Sequence, residues 1–266
     1  MIHIYDGMAV LRRRFDGNML NSGPRSVFGD MLELPRSDVA IWCFEGRGSL
    51  DARRKIFPGY KVRPSTMTDG LHALVSLTRD ALRHTRAIQI AVPGREADDV
   101  IAHLCEVHGP TARDGITVHT VDRDLLALGT DRVRIDLGGG QPLIVDGVTI
   151  PAHEVRLFKT LVGDASDKIP GMPGFGRKGY VACDRRLLAM AFQLFLVGHH
   201  NVGDFERAGV KTGMAQRMCE PKQAALLRAY WEIVGFLPLP GSWEDGIVAG
   251  QPDPAAGDAV LKQFHH

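Results

Sequence analysis

Five short runs rich in isoleucine and valine alternate with helical patterns in the first half of the chain. This alternation restricts the fold more than any other feature. The runs are "IHIYD" (2–6), "VAIWCFE" (39–45), "AIQIAV" (87–92), "ITVHTVD" (116–122) and "RVRIDL" (132–137). Near-continuous apolar runs of this length suit strands covered on both faces of a parallel sheet. "EADDVIAHLCEVHG" lies between the third and fourth, with Val100, Ile101, Leu104 and Cys105 at helical spacing and Gly109-Pro110 as its stop. The pattern predicts an α/β fold, a mostly parallel sheet with flanking helices. "LIVDGVTI" (143–150) reads as a hairpin turned at Asp146-Gly147. From Glu154 onward the pattern is helical, over 154–162, 178–197 and 222–236, so a smaller helical region follows the sheet. In the last helix Leu227, Tyr230, Trp231 and Val234 form one apolar stripe, read as core. The Pro- and Gly-rich stretch from Pro238 reads as an extended tail with a short helix near 257–264.

Acidic residues fall at the ends of these runs. Asp6 and Glu45 end the first two, Glu96, Asp98 and Asp99 follow the third, and Asp122 and Asp124 end the fourth. Asp164 and Asp167 open the loop "GDASDKIPGMPGFGRK" (163–178). Singly, each suits a helix N-terminus, where a carboxylate contributes about 0.3–1 kcal/mol. Together they recur at the carboxyl ends of successive strands, which in an open parallel sheet share one crevice. Two like charges about 4 Å apart repel by about 4 kcal/mol at an effective dielectric of 20. Seven or more convergent carboxylates would overwhelm a domain's roughly 5–15 kcal/mol of stability. They must be protonated, dispersed or neutralised by cations. A donor set of hard oxygens without His or Cys selects Mg²⁺ or Mn²⁺ over Zn²⁺, and two such ions suit phosphodiester hydrolysis.

A net charge of +1 gives little sign of an anionic partner. Setting those nine acids aside, however, leaves 22 acidic residues against 32 basic ones. The basic residues cluster in "LRRRF" (11–15), between Arg47 and Arg63, and at Arg177, Lys178, Arg185 and Arg186, which points toward a phosphate-bearing partner. "GMPGFGRK" (171–178) places Gly174, Gly176, Arg177 and Lys178 where backbone amides and cations would grip a phosphate without reading a base, and its carbonyls suit a monovalent cation. It does not fit GxxxxGK[ST], which argues against a nucleotide triphosphatase. In "DARRKIFPGYKVRP" (51–64), Lys61 and Arg63 suit the charge of a phosphoryl centre and Tyr60 a stacked base. The four cysteines are far apart and read as reduced thiols of a cytoplasmic protein. No secretory leader or membrane span is expected, since "LLAMAFQLFLVG" (187–198) is too short to cross a bilayer.

Several stretches, in order, resemble the 5′-nuclease superfamily of phage 5′→3′ exonucleases, flap endonucleases and the 5′-nuclease domain of bacterial DNA polymerase I. They are "IYDG" (4–7), "CFEG" (43–46), "RRKIFPGYKVR" (53–63), "EADDVIA" (96–102), "TVDRDLLAL" (120–128) and "GDASDKIPGMPGFGRK" (163–178). The resemblance covers about residues 1–180 and implies a PIN-like nuclease core over 1–152, with an arch or clamp at about 53–86. A helix–three-turn–helix DNA-binding region that also holds K⁺ would span 153–237, leaving 238–266 as a tail. It implies two Mg²⁺ (or Mn²⁺) ions, a monomer, and DNA with 5′ ends or 5′ flaps as substrate. Asp6, Glu45, Glu96 and Asp98 would serve mainly the first metal. Asp122, Asp124 and Asp167 would serve mainly the second, with Asp99 and Asp164 outside them. Arg53, Lys61 and Arg63 would contact the scissile phosphate. The chain departs from the family in having Glu45 where Asp is usual, and in lacking Lys-Thr-Ala after "GRKGY". A PIN-like endoribonuclease and a catalytically weakened DNA-binding module are the alternatives.

Overall fold

The computed structural model describes residues 1–16, 23–62, 68–138 and 143–263. In chain order its elements begin with β1 (Ile2–Asp6), α1 (Gly7–Asp16), α2 (Gly23–Glu33), β2 (Val39–Cys43), α3 (Asp51–Ile56), α4 (Asp69–Leu82), β3 (Ile88–Ile90), α5 (Ala97–His108), β4 (Ile116–His119) and β5 (Val133–Asp136). They continue with β6 (Leu143–Val145), β7 (Val148–Ile150), α6 (Ala152–Val162), α7 (Arg177–Ala182), α8 (Arg185–Leu196), α9 (Val202–Arg207), α10 (Thr212–Cys219), α11 (Pro221–Val234), β8 (Ile247–Ala249) and α12 (Pro254–Lys262). The chain divides into two compact units: 1–51 with 63–140 and 238–266, and 52–62 with 141–237.

The first unit holds a six-stranded sheet of order β5-β4-β1-β2-β3-β8, parallel except for β8, which pairs antiparallel with β3. All five expected strands are present, β1 with the bounds read from the sequence and the other four shorter by two or three residues. Leu11, Val27, Met31, Trp42, Phe44 and Leu82 form a buried cluster joining α1, α2 and α4 to the Trp42 side of β2. Helix α5 packs on β1 and β2 through the apolar spacing read from the sequence, with Val100, Ile101 and Leu104 buried. The stretch from Pro238 does not trail away. Its strand β8 covers the exposed edge of β3, and α12 packs on α2 and α4. Covering an edge strand satisfies backbone groups that would otherwise recruit another chain.

The second unit is mostly helical. The β6–β7 hairpin turns at Asp146 (φ 48°) and Gly147 (φ 78°), both left-handed as a two-residue turn of this kind requires. The helix expected over 178–197 is two helices. Asp184 interrupts it and caps α8, its Oδ1 accepting from the Leu187 amide at 3.0 Å. Leu188, Ala191, Phe192 and Phe195 form the buried face of α8. In α11 the buried stripe is Ala224, Leu227, Tyr230 and Ile233, with Trp231 half-buried under the Arg156 guanidinium (4.1 Å to the ring centre). No helix among the described residues is long and apolar enough to cross a membrane. All four cysteines are free thiols, and Cys43, Cys105 and Cys183 are buried.

Candidate active site

The chain runs from β1 through β2 to β3 on one side of the sheet, then returns to place β4 and β5 on the other. β1 is therefore the point where strand order reverses, and the crevice beyond its carboxyl end is where an open α/β sheet receives ligands. Asp6, the last residue of β1, is buried there. Its Oδ2 accepts from the Thr120 hydroxyl at 2.8 Å and its Oδ1 from the Ala9 amide at 3.1 Å. Burial raises the Asp6 carboxyl; these two hydrogen bonds pull it back and Asp122 raises it further, leaving it above the usual carboxylate range. Thr120 in turn accepts from the Asp122 amide (2.9 Å), and Asp122 accepts from the Asp124 amide (2.8 Å). Asp122 and Asp124 are half-buried, with Asp124 at the start of a short 3-10 helix.

The loops after β2 and β3 are stitched together. The Gly46 amide donates to the Arg95 carbonyl (3.1 Å), and the Gly94 amide to the Arg47 carbonyl (2.8 Å). A side chain at Gly46 would overlap the Val92 carbonyl, so glycine is required for this approach. The stitching holds exposed Glu45 beside the start of α5. There Glu96 and Asp99 form a reciprocal capping box, the Glu96 amide donating to Asp99 Oδ2 at 3.2 Å. Both are buried, whereas Asp98 keeps part of its surface open.

Asp98 is the centre of the arrangement. Burial first, then the charges of Asp122, Asp6, Glu96 and Glu45, push its carboxyl well above the ordinary value. Carboxylates from four separate stretches therefore act on one another at the carboxyl ends of β1, β2 and β4 and at the start of α5. Their donor chemistry fits a hard divalent cation. Among the described residues no three or more His, Cys, Asp or Glu side chains are grouped so as to hold a metal ion. Asp6 and Asp99 are turned toward hydrogen-bond donors of the chain itself.

The second unit carries Asp164 and Asp167. Asp164 pairs with Ile169 in an isolated bridge, and both its oxygens are engaged. Oδ1 accepts from the Ser166 amide at 2.8 Å, and Oδ2 meets the Lys159 ammonium at 2.8 Å. Burial raises this carboxyl, but Lys159 and the hydrogen bonds from Lys159 and Ser166 outweigh burial and hold it below the usual range. Asp167 lies 3.8 Å from the Lys61 ammonium, and its carbonyl accepts from the Lys61 amide at 2.9 Å. Gly163 (φ 95°) and Gly171 (φ 69°) close this loop back to back, with no room for a side chain at Gly171. Gly174 (φ 82°), Gly176, Arg177 and Lys178 are all exposed where the loop enters α7.

Two expectations change. Tyr60 is buried, with the Lys61 ammonium 5.2 Å and the Arg53 guanidinium 5.8 Å from its ring centre, so its ring is not presented to a base. Arg53 is buried too, donating to the Ile233 and Gly235 carbonyls at 2.9 Å each, which ties the segment to the end of α11 rather than to a phosphate. Arg63 and the middle of the expected arch lie outside the described residues. Thr120 and Lys159 were not singled out from the sequence. Thr120, two residues before Asp122 in "TVDRD", carries the one local signal, a hydroxyl at a strand end among acids.

Fold and site together define an α/β protein with a carboxylate-lined crevice at the switch point of a parallel sheet. The family described as "5'-3' exonuclease, N-terminal resolvase-like domain" matches residues 2–148, and the chain belongs to the 5′-3′ exonuclease family. It is 29% identical over 198 residues to a 5′-3′ exonuclease of Bacillus subtilis, covering 66% of this chain and 66% of that protein. It is 30% identical over 197 residues to DNA polymerase I of Caldicellulosiruptor bescii, covering 66% of this chain but only 23% of the polymerase. Two solved structures share the fold over 99% of this chain and 96% of theirs. They are bacteriophage T5 5′-exonuclease with zinc ions (TM-score 0.62, 20% identity) and T5 flap endonuclease in a complex with DNA and metal ions (TM-score 0.58, 19% identity).

Proposed function

We propose that this chain hydrolyses phosphodiester bonds of DNA at 5′ ends and 5′ flaps, with two Mg²⁺ or Mn²⁺ ions. The supporting observation is Asp98, whose carboxyl is pressed by four other carboxylates at a sheet switch point in a chain of the 5′-3′ exonuclease family. An unneutralised cluster of this kind costs stability, and divalent cations relieve it. Asp6, Glu45, Glu96 and Asp98 would hold one ion. Asp122, Asp124 and Asp167 would hold the other, with Asp99 and Asp164 supporting them. When bound, the ions supply positive charge to the scissile phosphate and to the leaving oxygen.

The chain's own residues do the positioning. Thr120 and the Ala9 amide fix the rotamer of Asp6, and the capping box fixes Glu96 and Asp99. Lys61, anchored through its amide to the Asp167 carbonyl, brings an ammonium to the charge that develops on the phosphate. Arg177, Lys178 and the amides around Gly174 and Gly176 would hold the duplex backbone in a helix–three-turn–helix manner, with loop carbonyls suited to K⁺. Water attacks phosphorus in line, leaving a 5′-phosphate and a 3′-hydroxyl. The test is a 5′-flap duplex incubated with and without Mg²⁺, with product ends mapped and an RNA substrate in parallel. Cation-dependent cuts at the flap support the proposal. DNA binding without any cut, or preferential cutting of RNA, overturns it.

A further inference from the structure

A second cleft in the first unit, of about 350 Å³, has Thr120, whose hydroxyl donates to Asp6, among its lining residues. It falls within the roughly 300–1,000 Å³ typical of small-molecule sites. Its wall is the end of a ladder of rings carried by adjacent strands. Trp42 stacks on Tyr5 (centroids 4.5 Å, 9° between planes) and Tyr5 stacks on His119 (4.5 Å, 12°). At the other end Phe44 follows Trp42, and the Arg79 guanidinium closes the ladder 4.8 Å from the Phe44 ring centre. At the His119 end the next strand, β5, offers Asp136 instead of another ring. Arg13 reaches the cleft against Gly138, and Arg14 lines it as well.

The charges are arranged unevenly. Arg14 is paired with Asp30 at 3.0 Å, whereas among the described residues Arg13 has no carboxylate partner. Asp136 accepts from the Gly138 amide at 2.9 Å and lies 3.5 Å from His119 Nδ1. His119 is held in place from behind by His3 (3.1 Å), whose other nitrogen faces Asp38 at 3.4 Å. The cleft thus combines parallel ring faces, a guanidinium able to take a phosphate, and one carboxylate able to accept from an exocyclic amine. A purely apolar ligand would make no use of the Arg13 guanidinium or of the open part of the Asp136 carboxylate. A bare anion would leave the rings unused.

We propose that this cleft binds a nucleoside 5′-monophosphate, its base stacked at the Tyr5–His119 end of the ladder and its phosphate on Arg13. The same chemistry is offered by a free mononucleotide or by the 5′-terminal nucleotide of a strand. It borders the carboxylate crevice at Thr120, but none of the carboxylates assigned to the ions lines it, so it is tested without divalent cations.

The experiment titrates the intact chain in chelator with dAMP, deoxyadenosine, inorganic phosphate and a 5′-phosphorylated dinucleotide, read by calorimetry and by saturation-transfer NMR. Expected is binding of dAMP, weaker by about tenfold or more for deoxyadenosine and for Arg13→Ala, since a charge-assisted phosphate contact is lost. Asp136→Asn should narrow any preference of dAMP over dTMP. Competition by the dinucleotide assigns the site to strand ends, and its absence assigns it to free nucleotide; either supports the cleft. No dAMP binding, or unchanged affinity in both folded variants, overturns it. A Mg²⁺-dependent flap assay on the same samples separates the two readings, because intact cleavage beside absent dAMP binding removes this site alone.

Discussion

Asp98 and Asp164 are both half-buried carboxylates in acid-rich stretches, yet their surroundings are opposite. Around Asp98 the neighbours that matter are other carboxylates, and its proton is held more tightly than usual. Around Asp164 they are the Lys159 ammonium and the donors of Ser166, and its proton is held less tightly. The first arrangement lowers the stability of the bare fold, and the second raises it. A group that costs stability in isolation is retained for what it does with a ligand. A group satisfied by its own loop also has a structural reason to be there. The contrast ranks the carboxylates: Asp98 and those acting on it are the ones the proposal relies on for chemistry, while Asp164 has a place in its own loop without a ligand.

Removing the frustrated side chains gives the largest expected effect. Asp98→Asn or Asp124→Ala should lower Mg²⁺-dependent flap cleavage by about 10³-fold or more, as for loss of a group acting on transition-state charge. DNA binding should remain measurable. In chelator, Asp98→Asn should melt no lower than the parent, because it removes repulsion and leaves the fold's own hydrogen bonds intact. Asp164→Asn should melt lower, by an amount corresponding to about 1–3 kcal/mol for losing the charge-assisted contact with Lys159. Equal melting shifts in the two variants would erase the contrast.

The pH dependence sharpens it, with opposite signs. The folded-state pKa of Asp98 is raised, so the native state binds more protons than the unfolded chain above the unfolded value near 4. Stability therefore falls as pH rises through that window toward the raised pKa. Asp164 is lowered, so its contribution is present above about 4 and is lost as pH falls toward its folded value. In chelator, Asp98→Asn should flatten the decline on the alkaline side and Asp164→Asn the decline on the acid side. Thermal melts across pH read both.

Lys61→Ala is expected to lower cleavage by about 10²–10³-fold, the range for losing one preorganised donor to a developing oxyanion. Binding of the flap duplex should change less than the rate. Gly46→Ala works through geometry instead. Its Cβ would overlap the Val92 carbonyl, parting the loops that hold Glu45 beside Glu96 and Asp98. A loss of about 1–3 kcal/mol is expected, together with reduced cleavage. Full activity and unchanged melting in Gly46→Ala would mean that the stitching does not position the site.

The sheet was legible because its strands are short, β-branched and buried on both faces, and the acids at their ends were legible for the same reason. β8 was not: "IVA" is three residues long and exposed, so it has no pattern of its own and exists through pairing with β3. α9 and α10 have six and eight residues, too few turns for periodicity to rise above chance. Tyr60 and Arg53 misled because an amphipathic ring and a guanidinium look the same in sequence whether they face a nucleic acid or each other. Among the carboxylates, position alone made Asp98 and Asp164 look alike. Lys159, five residues before Asp164 on the preceding helix, and Ser166 set Asp164 apart, and helical spacing gives no reason to pair that lysine with a loop residue.

The smallest effect is expected at the exposed end of the second unit. Lys178 is in the first turn of α7 and exposed, next to Arg177. Lys178→Ala should weaken duplex binding several-fold, equally for every sequence, and reduce the magnitude of the salt slope of log K by about 1, as for one phosphate contact. Melting temperature should not move, because an exposed lysine contributes little to the fold. The rate on saturating flap substrate should also hold, since a contact to the duplex backbone adds affinity without acting on the phosphate that reacts. A fall in saturated rate with unchanged affinity would move Lys178 into the catalytic set and end its reading as a residue of duplex binding alone.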